Sequence, residues 1–224
     1  MAFLYLPIFS TDLCRLLRPY GLLICVVNAW ICFVSPALSQ TKSILVVGDS
    51  LTAGYGLAET ESFPAQMERS LSILGYDVRI INSGVSGDTS AGGRARLAWA
   101  LAENPDAVIL ELGANDGLRG LDPKNTEANL EAMIREIAKR KIPILLTGMR
   151  APPNLGSEYE AEFNGLYRRL AGRHNILLYP FFLEGVAAIP SLNQADAIHP
   201  NAKGVGEIVN RIRPIVLQLL EKMR

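Results

Sequence analysis

A serine within a Gly-Asp-Ser tripeptide is the residue of this chain best placed to act as a nucleophile. Ser50 follows Gly48-Asp49, which closes the apolar run Ile44–Val47. A Val/Ile-rich run closed in this way predicts a buried parallel strand that ends in a sharp turn. The turn would place the Ser50 hydroxyl at the carboxyl end of a central strand, where open α/β sheets bind ligands. The hydroxyl then needs a base and an oxyanion site to attack a carbonyl carbon.

The chain offers two histidines as candidates for that base, His174 and His199. His174 lies in a polar join between a predicted helix and a predicted strand, and we interpret it as a surface residue. His199 comes three residues after Asp196, in a short loop closed by Pro200. At this spacing the carboxylate can accept from one ring nitrogen while the other nitrogen faces Ser50, as in a catalytic triad. We therefore predict His199 as the base and Asp196 as the acid that orients it.

Four short blocks fall at predicted strand ends or before the last predicted helix. Loops at the carboxyl ends of neighbouring parallel strands converge on one crevice, so blocks that are distant in sequence can meet there. The blocks are Gly48–Leu51, Asn82–Thr89, Gly113–Asp116 and Asp196–Pro200.

In their order and residue types, these blocks resemble the four conserved blocks of the SGNH, or GDSL, hydrolase superfamily. The stretches Ser86–Ser90 and Glu111–Gly120 are most similar to the bacterial thioesterase I, lysophospholipase L1 and arylesterase branch. The resemblance extends from Ser43 to the final helix. Ala114 is a departure, because some relatives carry a second glycine there.

The resemblance implies an oxyanion hole made by the Ser50 N–H, the Gly87 N–H and the Asn115 side-chain amide. The residue types fit these roles, because glycine lets the backbone approach a reacting carbonyl closely and asparagine carries an NH₂ donor. It further implies a serine esterase that cleaves carboxylic esters, and also thioesters, through an acyl-enzyme. Arylesters and lysophospholipids are the substrates expected from this branch, and neither a cofactor nor a metal is expected.

Two alternative functions remain open from the sequence. The first is a carbohydrate O-deacetylase, which would use the same triad. The second is a non-catalytic exported protein that binds acyl chains or glycans. Against the second alternative, Ser50, Asn115 and His199 are all chemically competent residues.

Alternation of short apolar runs with longer amphipathic ones predicts an α/β fold. Such a pattern is typical of βαβ units, with a parallel sheet and helices on both of its faces. The resemblance narrows this to a three-layer α/β/α sandwich of flavodoxin-like type, with a central, mostly parallel five-stranded sheet. The predicted strands are Ile44–Val47, Val78–Asn82, Ala107–Leu112, Ile144–Thr147 and Ile176–Leu178, and the predicted helices are Pro64–Leu74, Ser90–Ala102, Thr126–Arg140, Glu158–Gly172 and Lys203–Lys222.

Two other α/β classes lack their motifs in this chain. A phosphate-binding G-x-x-x-x-G-K-[ST] loop and a G-x-G-x-x-G turn after a strand are both missing from the sequence. An α/β-hydrolase would need a G-x-S-x-G elbow. The segment Gly48–Thr52 has no glycine at the final position of that motif.

The first 39 residues have the layout of a secretory signal peptide. Arg15 and Arg18 precede the apolar stretch Tyr20–Val34, and Ala37-Leu38-Ser39 offers a cleavage site before Gln40. The alternative is an uncleaved N-terminal membrane anchor. The apolar stretch is about 15 residues long, shorter than the about 20 that a membrane span needs. We therefore predict an exported protein, periplasmic or secreted, whose domain comprises residues 40–224.

Composition limits the partners of this domain. The formal net charge is zero, and no stripe of Lys and Arg stands out, which argues against nucleic acid. All three cysteines, Cys14, Cys25 and Cys32, precede the predicted cleavage site. The mature form is thus expected to have no disulfide and no thiolate nucleophile. We expect a monomer without a stable membrane span, acting on a small acyl ester.

Substrate selection is assigned to the loop Gly148–Gly156, which follows the fourth predicted strand. This loop is rich in proline and glycine and carries apolar side chains. Similar loops in the related branch border the acyl-chain groove, and a plain surface connection is the alternative. The tentative groove residues are Met149, Pro153 and Leu155.

Several further charged and aromatic residues are predicted to have structural rather than catalytic roles. Asp49 and Asp116 are expected to shape the turns that contain them. A solvated helix face is expected to include Arg94 and Arg96. The apolar run Phe181–Leu183 is assigned to the core.

Overall fold

One parallel sheet of five strands forms the centre of the protein. The computed structural model describes residues 41–223, so the predicted signal peptide and its cysteines lie outside the described residues. The strand order is β2-β1-β3-β4-β5, and every pairing is parallel. The strands are β1 (Lys42–Gly48), β2 (Val78–Gly84), β3 (Ala107–Glu111), β4 (Ile144–Thr147) and β5 (Leu177–Tyr179).

Helices cover both faces of this sheet, which gives the three layers expected from the sequence. Helix α2 packs against α7 on one side, while α3 packs on α5 and α5 on α6 on the other. In chain order the helices are α1 (Ser50–Ala53), α2 (Phe63–Ile73), α3 (Ser90–Ala100), α4 (Ala114–Leu118), α5 (Pro123–Lys139), α6 (Ser157–His174) and α7 (Ala202–Glu221). Short 3₁₀ turns occur at Glu59–Glu61, Leu101–Glu103, Pro153–Leu155 and Pro190–Leu192. None of the helices between residues 41 and 223 is long and apolar enough to cross a bilayer.

The apolar strands form the core because the helical layers bury both faces of the sheet. Residues Ile44–Val47 of β1 are completely buried. The sequence of a parallel strand that is covered on both faces is a continuous apolar run rather than an alternation of apolar and polar residues. The run Ile44–Val47 has this pattern. The prediction of all five strands and five long helices is confirmed, with boundaries shifted by a few residues.

The order of the strands creates a crevice beside β1. The chain passes from β1 to β2 on one side and then returns past β1 to β3 on the other, so the connections that follow β1 and β3 run in opposite directions along the sheet. Gly48, the last residue of β1, is paired with Gly84 on β2 and with Glu111 on β3. Ligands bind outside the carboxyl ends of the strands at such a switch point.

Candidate active site

Ser50 lies at the first turn of α1, directly after β1. Asp49 caps this helix, and its Oδ1 accepts from the Leu51 N–H at 3.0 Å. The first N–H groups of a helix have no acceptor within the helix, so the Ser50 N–H points out of the turn. A Cβ added to Gly48 would overlap the side chains of Thr52 and Glu111. Glycine is therefore needed there for the close approach that forms the turn.

His199 and Asp196 reach Ser50 from the loop before α7. The distance from His199 Nε2 to Ser50 Oγ is 2.9 Å, and the distance from His199 Nδ1 to Asp196 Oδ2 is 2.6 Å. Asp196 Oδ1 accepts from the backbone N–H groups of Ile198 and His199, each at 3.0 Å. These bonds to His199 and Ile198 lower the pKa of Asp196 to about 2. The carboxylate therefore stays ionised at neutral pH and holds the proton of the imidazole on Nδ1, which leaves Nε2 to accept from the serine.

Gln194 and Tyr55 hold the histidine loop against the serine turn. The Gln194 N–H donates to the His199 carbonyl at 2.8 Å, and its side-chain amide donates to the carbonyls of Tyr55 at 2.7 Å and Pro200 at 3.0 Å. The Tyr55 ring lies on the imidazole, with ring centroids 4.6 Å apart and the planes tilted by 38°. The Tyr55 N–H in turn donates to the Ser50 carbonyl at 3.1 Å. His199 is thus held relative to Ser50 by Gln194 and Tyr55, which no pattern in the sequence singles out.

Asn115 and Gly87 approach the same region from α4 and from the loop after β2. The Asn115 side-chain amide donates to the Asp88 carbonyl at 2.9 Å and lies 3.3 Å from Asp49 Oδ2. Gly87 has φ +84°, a left-handed conformation that glycine adopts without strain. Asn115 lines one cavity together with Ser50 and His199. Gly87 is not a lining residue of this cavity, but it precedes the residue that anchors the Asn115 amide.

Two buried carboxyl groups lie beneath the nucleophile turn. Asp49 and Glu111 are both fully buried. Burial raises the pKa of Asp49 to about 6 and raises that of Glu111 well above its usual value. Glu111 Oε2 accepts from the Thr52 hydroxyl at 2.6 Å and from the Asp49 N–H at 3.3 Å, while Oε1 has no hydrogen-bond partner among residues 41–223. Burial therefore favours the protonated form of Glu111. In the sequence Glu111 stands near the end of the predicted apolar strand Ala107–Leu112, with no pattern that marks it as part of the site, so it was missed.

Arg96 does not belong to a solvated face, which corrects the prediction. Its side chain is 18% exposed and pairs with Asp88. The pattern of α3 could not reveal this, because Arg94, two residues earlier, looks the same in sequence and is exposed. Arg94 donates instead to Asn129 on the outer surface of the protein.

An apolar cavity of about 590 Å³ opens at Ser50 and His199. Met149 and Pro153, two of the three predicted groove residues, line it, whereas Leu155 lies in a separate surface groove beside Tyr159. The first wall of the cavity is the segment 149–153, and the floor includes Leu51, Ala114 and Leu118. The second wall is formed by Phe181, Leu183, Ala187, Ala188, Ala197 and Ile198.

The second wall corrects the assignment of Phe181–Leu183 to the core. Phe182 is 1% exposed and packs edge-on against Phe63, as expected of a core residue. Its neighbours Phe181 and Leu183 point to the cavity instead. The segment after β5 consists of turns rather than a helix.

The remaining candidates have structural partners. His174 Nε2 lies 3.3 Å from Glu131 Oε1 on α5, and its side chain is 17% exposed, so it is more buried than the predicted surface position. Asp116 accepts from the Ser90 N–H at 2.7 Å and from the Thr126 hydroxyl at 3.1 Å. Asp116 therefore joins α4 to the starts of α3 and α5 through its side chain, rather than bonding its own turn as expected.

Comparison with known proteins, by family, by sequence and by structure, relates this chain to esterases and acylhydrolases. The sequence matches the GDSL-like Lipase/Acylhydrolase family over residues 46–205. Esterase TesA of Pseudomonas aeruginosa is 40% identical over 183 residues, which are 81% of this chain and 91% of that protein. An arylesterase of Vibrio mimicus is 41% identical over 168 residues, 75% of this chain and 84% of its own length. The crystal structure of AlinE4, an SGNH-hydrolase family esterase, matches with a TM-score of 0.69 and 49% identity, covering 82% of this chain and 99% of that one.

Proposed function

Because the chain belongs to the GDSL-like lipase/acylhydrolase family, we propose that Ser50 is the nucleophile of a serine esterase that cleaves carboxylic esters through an acyl-enzyme. The observation that carries this proposal is the continuous hydrogen-bonded chain from Ser50 Oγ through His199 to Asp196, with distances of 2.9 and 2.6 Å. Ser50 and His199 line an apolar cavity that can hold an acyl chain. A nucleophile, a base and an orienting carboxylate in this order are the parts of acyl transfer.

In the acylation step, Ser50 Oγ attacks the acyl carbonyl carbon while its proton passes to His199 Nε2. The negative charge on the carbonyl oxygen is held by the Ser50 N–H, the Gly87 N–H and the Asn115 amide. The contact of Asn115 with Asp49 is long at 3.3 Å, so the oxyanion competes for that N–H. His199 then gives its proton to the leaving alkoxide or thiolate, and the carbon–oxygen or carbon–sulfur bond breaks.

Deacylation repeats these steps with water in place of serine. His199 Nε2 takes a proton from a water molecule, whose oxygen attacks the acyl-enzyme carbonyl. The same donors hold the second oxyanion, and the proton returns to Ser50 Oγ as the carboxylic acid leaves. Asp196 stabilises the imidazolium in both halves of the reaction without being protonated itself, in line with its pKa of about 2.

The cavity favours an apolar acyl group over an acetyl group on a sugar. Its walls carry Pro152, Phe181, Leu183 and Ile198, and Arg150 is the charged residue at its border. Its volume of about 590 Å³ lies within the range of pockets that enclose small organic ligands. We assign arylesters and lysophospholipids with medium-length acyl chains as substrates, with thioesters of similar acids as the second class.

The test is the kcat/KM of the protein for p-nitrophenyl esters from acetate to palmitate, with Ser50→Ala as the control. We expect a maximum at a medium chain length and no turnover by Ser50→Ala. A maximum at acetate would contradict the acyl-chain assignment and favour a deacetylase. Failure of the wild-type protein to hydrolyse any of these esters would favour the binding protein.

We also propose that the protein is exported and cleaved after Ser39. The support is the basic, apolar and small-residue order of residues 1–39. The mass of the protein recovered from the periplasm or medium checks this, because a cleaved chain begins at Gln40. An intact chain in the membrane fraction would instead indicate an N-terminal anchor.

A further inference from the structure

Arg96 lies at the centre of a hydrogen-bond network behind the proposed oxyanion hole. From the middle of α3 its guanidinium makes three bonds to three segments of the chain. Nε donates to Asp88 Oδ2 at 2.6 Å, Nη1 to the Ser83 hydroxyl at 2.9 Å and Nη2 to the Gly48 carbonyl at 2.8 Å. The side chains of Arg96 and Asp88 are 18% and 17% exposed, so the ion pair is largely shielded from water.

Each acceptor belongs to a segment that carries a proposed catalytic group. Gly48 ends β1 and is separated from Ser50 by one residue. Asp88 directly follows Gly87, and its own carbonyl accepts from the Asn115 amide at 2.9 Å. Arg96 thus bonds the segments of Ser50 and Gly87 directly and is connected to Asn115 through the Asp88 residue.

We propose that Arg96 is a positioning residue of the oxyanion hole. It fixes the Gly87–Asp88 segment relative to the Ser50 turn, and through the Asp88 carbonyl it fixes the direction of the Asn115 amide. This inference rests on the proposed function, because it assumes that those donors stabilise a tetrahedral oxyanion. Arg96 does not line the cavity and is not a catalytic residue in the sense of contacting substrate.

The network matters because oxyanion donors work only when they are held in place before the charge develops. Displacement of a reacting group by about 1 Å can cost on the order of 10²-fold in rate. Without the guanidinium, the Asp88 carboxylate and the Gly48 carbonyl lose a shared, charge-assisted donor. We expect the loop from Val85 to Asp88 to shift, while the acyl-chain walls stay unchanged.

The test compares Arg96→Ala with Arg94→Ala, an exposed arginine on the same helix. With kcat counted per active site by phosphonate titration, we expect Arg96→Ala to lower kcat by about 10- to 10²-fold with little change in KM. Arg94→Ala should match the wild type. Arg96→Lys, which keeps the charge beside Asp88 but cannot make all three bonds, should fall between the two.

A second readout separates positioning from general loosening of the fold. A boronic acid forms a tetrahedral adduct with a reactive serine, which places an oxygen in the oxyanion hole. The inhibition constant for phenylboronic acid should rise in Arg96→Ala by the same factor by which kcat/KM falls. An unchanged boronate constant, or a loss confined to KM, would overturn the proposal.

Two further outcomes are decided within the same experiment. If Arg96→Ala does not fold, Arg96→Lys and the isosteric Asp88→Asn replace it, and wild-type boronate affinity in both would overturn the proposal. If wild-type protein and Ser50→Ala are equally inactive, the proposed function fails. If the wild-type protein is active and Arg96→Ala has the same rate, the positioning role of Arg96 is contradicted while the proposed function stands.

Discussion

At the scale of single residues, the protonation states of the site follow from its hydrogen bonds. Asp196 accepts two backbone N–H groups and the imidazole, so its pKa is about 2 and it remains a carboxylate. Asp49 lies close by but is fully buried, and burial raises its pKa to about 6. Its hydrogen bonds therefore make Asp196, and not Asp49, the acid suited to orient His199.

The first prediction concerns the proposed side-chain donor to the oxyanion. Asn115→Ala should lower kcat by about 10²- to 10³-fold, because the developing charge loses one fixed donor. KM should change little, since the ground-state carbonyl interacts only weakly with the oxyanion hole. Steady-state kinetics on a p-nitrophenyl ester measure both constants.

Asn129→Ala is the matched control for this prediction. Asn129 is on α5 and contacts Ser90 and Arg94 rather than the serine turn. It should keep wild-type kcat. A kcat for Asn115→Ala within about threefold of the control would exclude the amide from the oxyanion hole.

At the scale of elements, the ends of β1 and β3 are joined by a buried carboxyl group. Glu111 on β3 accepts from Thr52 and from the Asp49 N–H, across from Gly48 in the sheet register. Its folded-state pKa lies well above the usual 4.5 because the group is buried. The folded state therefore holds a proton that the unfolded state releases above pH 4.5, so this group lowers stability as pH rises toward its folded pKa.

Glu111→Gln removes this titration while keeping an oxygen for Thr52 and Asp49. The difference in Tm between Glu111→Gln and wild type should become more positive from pH 5 to pH 8. Thermal unfolding at several pH values measures it, with Glu136→Gln, whose side chain is 41% exposed, as the control. A difference that is constant over this range would show that Glu111 ionises in the folded state as it does in the unfolded chain.

The second wall of the cavity gives another prediction at this scale. Ala187 is a small, exposed residue of the segment between β5 and α7 that lines the cavity opposite Pro153 and its neighbours. Ala187→Phe should fill space needed by the acyl chain and move the optimum toward shorter p-nitrophenyl esters. The ratio of kcat/KM for octanoate to that for acetate should fall by about tenfold or more, as for the loss of a few methylene contacts.

Ala98→Phe serves as the control, because Ala98 is an exposed residue of α3 that does not line this cavity. Its chain-length profile should equal that of the wild type. An unchanged profile in Ala187→Phe would mean that the acyl chain takes another path from Ser50.

At the scale of the whole molecule, the sequence predicts the three layers of the fold, because they follow from the periodicity of apolar residues. It also predicts which loops meet at the carboxyl ends of the strands, because this follows from the order of strands and helices along the chain. A continuous apolar run such as Ile44–Val47 is informative because a parallel strand is buried on both faces. The brief helices α1 and α4 were not predicted, since four or five residues show no helical period. The direction of side chains in segments without regular secondary structure could not be predicted either, because no periodicity defines it there. Phe181 lines the cavity, and Leu155 does not.

The same limit applies to residues that act through long-range contacts. Arg96 reaches Gly48, which is 48 positions away in sequence, and nothing near it in the chain distinguishes it from Arg94. Tyr55 is close to Ser50 in sequence, but its contact with His199 depends on a loop 144 positions later (199 − 55). Such contacts exist only once the sheet has brought the loops together.

Labelling by a serine-directed phosphonate tests the central claim most directly. A p-nitrophenyl alkylphosphonate should release p-nitrophenol once per chain, abolish esterase activity in step with that release and leave its adduct on the peptide that contains Ser50. Ser50→Ala should not be labelled. Continued ester turnover with Ser50 unmodified, or inactivation with the adduct on a different residue, would contradict the assignment of Ser50 as the nucleophile.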